Sequence, residues 1–207
     1  MKILLFLLAF SFLNASNYPN FTKYELKKIS DDSGKIAKNR IIDYTKSINS
    51  FKKFPKQKQL VRVNYYLNQL PHLSDKINNN KSDHWGTPKE FLTCGYGDCE
   101  DYAIIKYFTL LKLGFEKDKL FITTAFEQYT GQYHMVLSYF AEKNKSPLVL
   151  DNLSFKVLGL QTRNDLKADI FINPAGTYKM DKHNKLIRVD NVPEKFIELM
   201  QRVKKES

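Results

Sequence analysis

Cys99, His134 and Asp151 are the residues of this chain whose types and order could make a working nucleophile. A thiol needs a base to become a thiolate, and that base needs a third group to hold it in the right tautomer. Cys99 lies in the stretch GYGDCEDYAIIKYFTLLKLGF, Gly95 to Phe115, at the point where a helix begins. There the helix dipole lowers a thiol pKa, and the first backbone N–H groups point at a developing oxyanion. His134 opens the run HMVLSYF and is the candidate base; Asp151 ends LVLD and is the candidate orienter. If Glu142 to Lys145 form the turn, the two runs pair as antiparallel strands, and His134 falls within a ladder step or two of Asp151. Each residue also has a plain structural reading. A strand histidine is often just packed, an aspartate at a strand end is often a turn former, and a cysteine can be a small buried hydrophobe. What favours chemistry is the coincidence of all three at compatible positions.

The thiol sits among three acids, Asp98, Glu100 and Asp101. Asp98 suits an N-cap, with Cys99, Glu100 and Asp101 following at N1 to N3, so D-x-x-D reads as a variant capping box that also favours the dipole. Capping does not explain why a cluster of carboxylates stands beside a thiolate that it opposes. Hard oxygen ligands this close together suit Ca²⁺, which would offset the repulsion, although the spacing matches no EF-hand loop.

These residues must be positioned by an α+β arrangement, helices first and antiparallel strands after. A helix is expected from Lys35 to Ile48, after a turn at Asp31 to Gly34. A second is expected from Gln57 to Leu70, closed by Pro71. KINNNKSD, 76 to 83, reads as a polar loop. His84 to Pro88 is a turn holding the only tryptophan, and it leads into a short helix at Lys89 to Leu92. The run from Cys99 to Leu113 is apolar nearly all round, so its helix is central, with Gly114 at C′. Strands follow at Leu120 to Phe126, His134 to Phe140 and Leu148 to Asn152, then near Phe155 to Leu160, Ile170 to Ile172 and Leu186 to Val189. A last helix runs from Pro193 to Val203.

The first residues, MKILLFLLAFSFLNAS, carry Lys2, an apolar run too short to span a bilayer, and small residues at Ala15 and Ser16. That is the layout of a secretory signal peptide over residues 1–16, an uncleaved anchor being the alternative. Residues 17–207 then form one exported domain: helical over about 17–115, mainly strands over about 116–190, and a C-terminal helix over about 193–204. Export would normally pair cysteines, and only Cys94 and Cys99 are present; their pairing stays open. The formal charge is +11, mostly from scattered lysines. With no arginine-rich run or stacking-aromatic motif, it gives no reason to expect nucleic acid.

Trp85-Gly86-Thr87-Pro88-Lys89-Glu90, Gly97-Asp98-Cys99-Glu100-Asp101-Tyr102-Ala103, Lys106-Tyr107, Leu110, Gly114, His134-Met135-Val136-Leu137 and Leu148-Val149-Leu150-Asp151-Asn152 together resemble the bacterial transglutaminase-like cysteine proteinases, the LapG family. The resemblance covers roughly residues 57–160. It implies a papain-like, transglutaminase-like α+β fold, with N-terminal helices packed on an antiparallel sheet and the nucleophile at the N-terminus of the central helix. It also implies a periplasmic endopeptidase that clips the N-terminal region of a large repeat-rich surface adhesin. Cys99 would be the nucleophile, His134 the general base and then acid, and Asp151 the orienter. A calcium site required for activity is implied at Asp98, Glu100 and Asp101. The family's usual inhibitory partner is an inner-membrane receptor that binds cyclic di-GMP, which would make biofilm attachment the process controlled. Two other classes compete with hydrolysis: amide transfer to an amine on the same triad, and a periplasmic binding module without catalysis.

Overall fold

The computed structural model describes residues 17–73 and 84–207. The expected leader at 1–16 and the expected loop at 76–83 lie outside the described residues. Among the described residues five helices come first: α1 (Lys23–Asp32), α2 (Gly34–Phe51), α3 (Lys56–Leu67), α4 (Pro88–Cys94) and α5 (Cys99–Lys112). Seven strands follow: β1 (Leu120–Glu127), β2 (Gln132–Tyr139), β3 (Leu148–Asp151), β4 (Ser154–Gly159), β5 (Leu166–Asn173), β6 (Gly176–Met180) and β7 (Leu186–Asp190). Helix α6 (Glu194–Glu206) closes the chain. The strands form one antiparallel sheet in the order β4-β3-β2-β1-β5-β6-β7.

Helix α5 is the central element, and every residue from Asp101 to Lys112 in it is buried. One side of the sheet packs onto it: Leu120, Ile122, Leu137, Leu150 and Ile172 share a core with Tyr102, Ile105 and Phe108. The opposite side buries Ala125, Val136, Val149 and Leu166, with Leu160 from the β4–β5 crossover laid against them. The helix stops as its sequence demands. Gly114, at φ +78°, turns the chain into a Schellman motif, its N–H bonding Leu111 O and the Phe115 N–H bonding Leu110 O. Each fully buried Leu, Ile or Phe contributes about 1.5–3 kcal/mol. Packing therefore fixes α5 far more firmly than any single cap of about 1 kcal/mol.

Three elements differ from expectation. Helix α1 was not anticipated, although Thr22 and Glu25 form a complete capping box that the sequence T-K-Y-E spells out. Asp31 and Asp32 complete that helix, and the break is narrower, at Ser33 and Gly34 with φ +89°. Strand β6, GTYKM, is short and weakly patterned, and only its pairing with β5 and β7 makes it a strand.

The C-terminal helix acts on the segment that leads to the thiol. Arg202 donates to Glu90 Oε2 at 2.9 Å and also to the Trp85 carbonyl, while Lys89 Nζ reaches the Glu206 carbonyl at 2.8 Å. Thr87 Oγ1 donates to Glu206 Oε1 at 3.0 Å. Residues 85–90 are thereby pinned between α6 and α5.

Candidate active site

Cys99 is the first residue of α5, and Asp98 occupies the N-cap position in extended conformation. The expected capping box does not form, because no side-chain hydrogen bond caps this helix. Asp101 turns elsewhere and accepts the Gly86 N–H through Oδ1 at 2.7 Å. The approach is close enough that a Cβ at Gly86 would lie 2.8 Å from Oδ1, and one at Gly97 would lie 2.5 Å from Oδ2. Glycine at both positions is thus a steric requirement of the Asp101 carboxylate.

His134 and Asp151 meet as their strand positions require. The β2–β3 register pairs Leu137 with Leu150, so Asp151 falls opposite Val136 and His134 stands one same-face step beyond it. His134 Nε2 lies 2.7 Å from Asp151 Oδ1, with His134 9% exposed and Asp151 0% exposed. Burial raises the Asp151 pKa, but hydrogen bonding and charge from His134, the Leu153 N–H and Arg163 together hold it far below the usual carboxylate range. An ionised carboxylate only accepts, so Nε2 carries the proton and Nδ1 keeps the lone pair that can take a thiol proton.

Arg163 was not legible in the sequence. It stands on the β4–β5 crossover and donates Nη2 to Asp151 Oδ2 at 2.6 Å. The same guanidinium binds Asp165 through Nε at 2.8 Å. Burial lowers the Arg163 pKa, but its two carboxylate partners raise it above the ordinary value. Asp151 thus accepts three hydrogen bonds, two on Oδ1 from His134 and the Leu153 N–H at 3.0 Å and one on Oδ2 from Arg163.

Around Cys99 the balance runs the other way. Its Sγ donates to Glu100 Oε2 at 3.2 Å. Burial pushes the thiol well above its ordinary pKa, the Glu100 carboxylate adds to this, and hydrogen bonding from the Met135 backbone opposes it. The contact with Met135 sets the sulfur against the backbone of β2, at the residue that follows His134. His72, which fits a catalytic role poorly by sequence position, proves to be a neighbour as well. Its backbone bridges Gly97 and its ring stacks on Tyr102 at 6.4 Å. Burial and the nearby His134 lower its pKa, with Glu100 opposing. Cys94 ends α4, and both thiols are free in this structure.

Asp98, Glu100 and Asp101 offer hard oxygen donors within one helical turn, and a divalent cation there would offset the part of the raised thiol pKa that comes from the Glu100 and Asp98 carboxylates, burial being the larger cause. In chemistry they fit calcium. As arranged they face different partners, and among the described residues no group of three or more His, Cys, Asp or Glu side chains could hold a metal ion.

A family model described as bacterial transglutaminase-like cysteine proteinase matches residues 41–165. No curated protein matches the chain. Among solved structures, calcium-bound LapG of Legionella pneumophila is 36% identical with a TM-score of 0.71, covering 86% of this chain and 98% of that one. EGTA-treated LapG of the same organism is 35% identical with a TM-score of 0.73, covering 86% and 97%. A family match over most of the chain and this level of identity across nearly the whole relative agree with the thiol, imidazole and carboxylate gathered at the start of α5: the chain belongs to the bacterial transglutaminase-like cysteine proteinases and is a cysteine peptidase.

Proposed function

We propose that this peptidase is a calcium-dependent periplasmic endopeptidase that cuts the N-terminal region of a large surface adhesin and so releases attached cells from a biofilm. The observation that carries the chemistry is the buried His134–Asp151 pair, 2.7 Å apart, with the thiol at the N-terminus of α5 set against the backbone of Met135, the residue after His134. Nδ1 of His134 takes the Cys99 proton as Sγ attacks the scissile carbonyl. The first backbone N–H groups of α5 face the developing oxyanion. His134 then gives its proton to the leaving amine, and a water activated by the same nitrogen hydrolyses the thioester. Asp151 holds the imidazole in one tautomer throughout and stabilises it when protonated.

After turning from the separate partners they face in this structure, Asp98, Glu100 and Asp101 would hold the calcium. Its contribution is to offset the negative charge that opposes the Cys99 thiolate. The likeness to a relative known in calcium-bound and EGTA-treated forms supports this reading, as does the acidic setting of the thiol. The remaining parts follow from the family resemblance: export by residues 1–16, a repeat-rich adhesin as substrate, and restraint by a cyclic di-GMP-responsive inner-membrane receptor.

The test is incubation of the purified protein with the N-terminal segment of an adhesin encoded in the same genome. Cleavage is expected, and EGTA, Cys99→Ala and His134→Ala should each abolish it. Incorporation of a labelled amine in place of cleavage would make the protein a transferase. Cleavage that survives EGTA would remove the calcium requirement.

A further inference from the structure

Lys106 takes no part in this chemistry, yet it is 0% exposed in the middle of α5. It lies about two helical turns beyond Cys99 on the same face of the helix. Its Nζ makes no hydrogen bond within the protein and stands 5.5 Å from the centroid of the Tyr102 ring. Burial pushes its pKa down to about 7, and the one charge acting against that is Asp151. An amine buried without acceptors costs several kcal/mol, so an apolar residue would serve better here if packing were the only need.

The acceptors that would match it surround Asp151. Helix α3 clamps the β3–β4 turn with two amides: Asn64 Nδ2 donates to the Ser154 carbonyl at 2.7 Å, and Asn68 Nδ2 donates to the Asp151 carbonyl at 2.7 Å and to that of Ser154 at 3.0 Å. These bonds use only the NH₂ groups. Oδ1 of Asn64, Oδ1 of Asn68 and both amide atoms of Asn152 are buried and make no hydrogen bond within the protein. The Asp151 charge acts on Lys106, the Asn68 amide holds the Asp151 carbonyl, and α5 packs against both α3 and β3, so an amine with up to three N–H bonds and three unmatched amide oxygens lie on elements that meet around Asp151.

We propose that Lys106 is a positioning residue, its amine joined through buried water to the side-chain oxygens of Asn64, Asn68 and Asn152, so that the helix carrying Cys99 also fixes the turn carrying Asp151. A water with several polar partners is the ordinary solution for such a group. The inference rests on Cys99, His134 and Asp151 acting together as read above.

The test is Lys106→Met, which keeps the length of the side chain and removes its donors. On the adhesin segment, kcat is expected to fall about tenfold to a hundredfold, the cost of a slightly misplaced catalytic group, with KM changed less than about twofold. Alkylation of Cys99 by chloroacetamide, which needs no protein substrate, should slow in parallel, while Tm stays level or rises. A variant that gains Tm and keeps kcat would overturn the proposal, because the lysine would then be only a tolerated burden. Asn64→Leu provides a second arm, since Asn64 touches Ser154 and neither reacting residue. It should lower kcat as well, and the double variant should be no worse than the poorer single. Effects that multiply, or an unchanged kcat in Asn64→Leu, would also overturn the proposal, even if Lys106→Met failed to fold. If the wild type leaves the adhesin uncut while its alkylation depends on His134, the substrate reading fails and this inference is judged on alkylation rates. If alkylation ignores His134, the triad reading itself falls.

Discussion

Two carboxylate regions flank the reacting pair, and they are built on opposite terms. Asp151 is fully buried and matched by an imidazole, a guanidinium and a backbone N–H. Of the acids at the start of α5, Asp98 and Glu100 are partly exposed and Asp101 is buried, and Glu100 is bonded to the thiol whose ionisation it resists. Arg163, shared with Asp165, offsets part of the charge of the carboxylate that holds His134. The base side is preorganised by the chain, whereas the nucleophile side carries a carboxylate that opposes ionisation of the thiol. On the function proposed above, control of the enzyme would belong at Asp98, Glu100 and Asp101, and its catalytic geometry at Asp151.

Asp151→Ala gives the largest contrast. It removes the orienter and leaves Arg163 without one of its two carboxylates, so kcat/KM should fall about 10³-fold or more. The measurement is cleavage of the adhesin segment with calcium in excess. A loss no greater than that of Glu100→Gln would erase the distinction between the two regions.

Arg163→Met tests the same side more finely. Breaking a buried pair by removing one partner costs about 3–5 kcal/mol. With Arg163 only 6% exposed, that range applies, and a lower Tm by calorimetry or circular dichroism should report it. The pH dependence has a definite sign. Because the folded Asp151 pKa is depressed, its stabilisation is complete above the ordinary carboxylate value, about pH 4, and is lost as pH falls toward the folded value. Without Arg163 the depression is smaller, so acid unfolding of the variant should begin at a higher pH than in the parent. An unshifted acid transition would mean that Arg163 contributes nothing to the ionised state of Asp151. Activity should fall about tenfold, because His134 and the Leu153 N–H still hold the carboxylate.

How far the sequence could be read follows from the range of each interaction. Local rules were enough for α5: a run apolar nearly all round, a glycine at its end and the thiol at its start. Period-two alternation with a short turn brought His134 within reach of Asp151, because antiparallel register fixes which residues share a face. Arg163 escaped because its contact with Asp151 depends on the β4–β5 crossover returning across the sheet, which no nearby spacing encodes. His72 escaped for a similar reason, its place being set by a bridge to Gly97. The failed capping box at Asp98 is a case of tertiary contact overriding a local motif: Asp101 is drawn to Gly86, held in place by α6 through Trp85, Thr87 and Lys89. Lys106 was visible as part of a motif, but only burial makes it an anomaly.

The smallest expected effect lies on the nucleophile side. Burial is the first cause of the raised Cys99 pKa and Glu100 the second, so Glu100→Gln relieves only part of the opposition. Solvent screening of this partly exposed carboxylate reduces the effect further. In EGTA near neutral pH, alkylation of Cys99 in Glu100→Gln should run about threefold faster than in the parent, the direction expected on removing a like charge from a forming thiolate. Calcium should then accelerate the parent and have less effect on the variant, which has lost one of the proposed oxygen donors. Slower alkylation in the variant would mean that Glu100 assists the thiol, and the two carboxylate regions would no longer differ in sign. A faster rate together with a full calcium response would separate the two roles: Glu100 would remain the opposing charge, and the cation would have to be held by Asp98 and Asp101 without it.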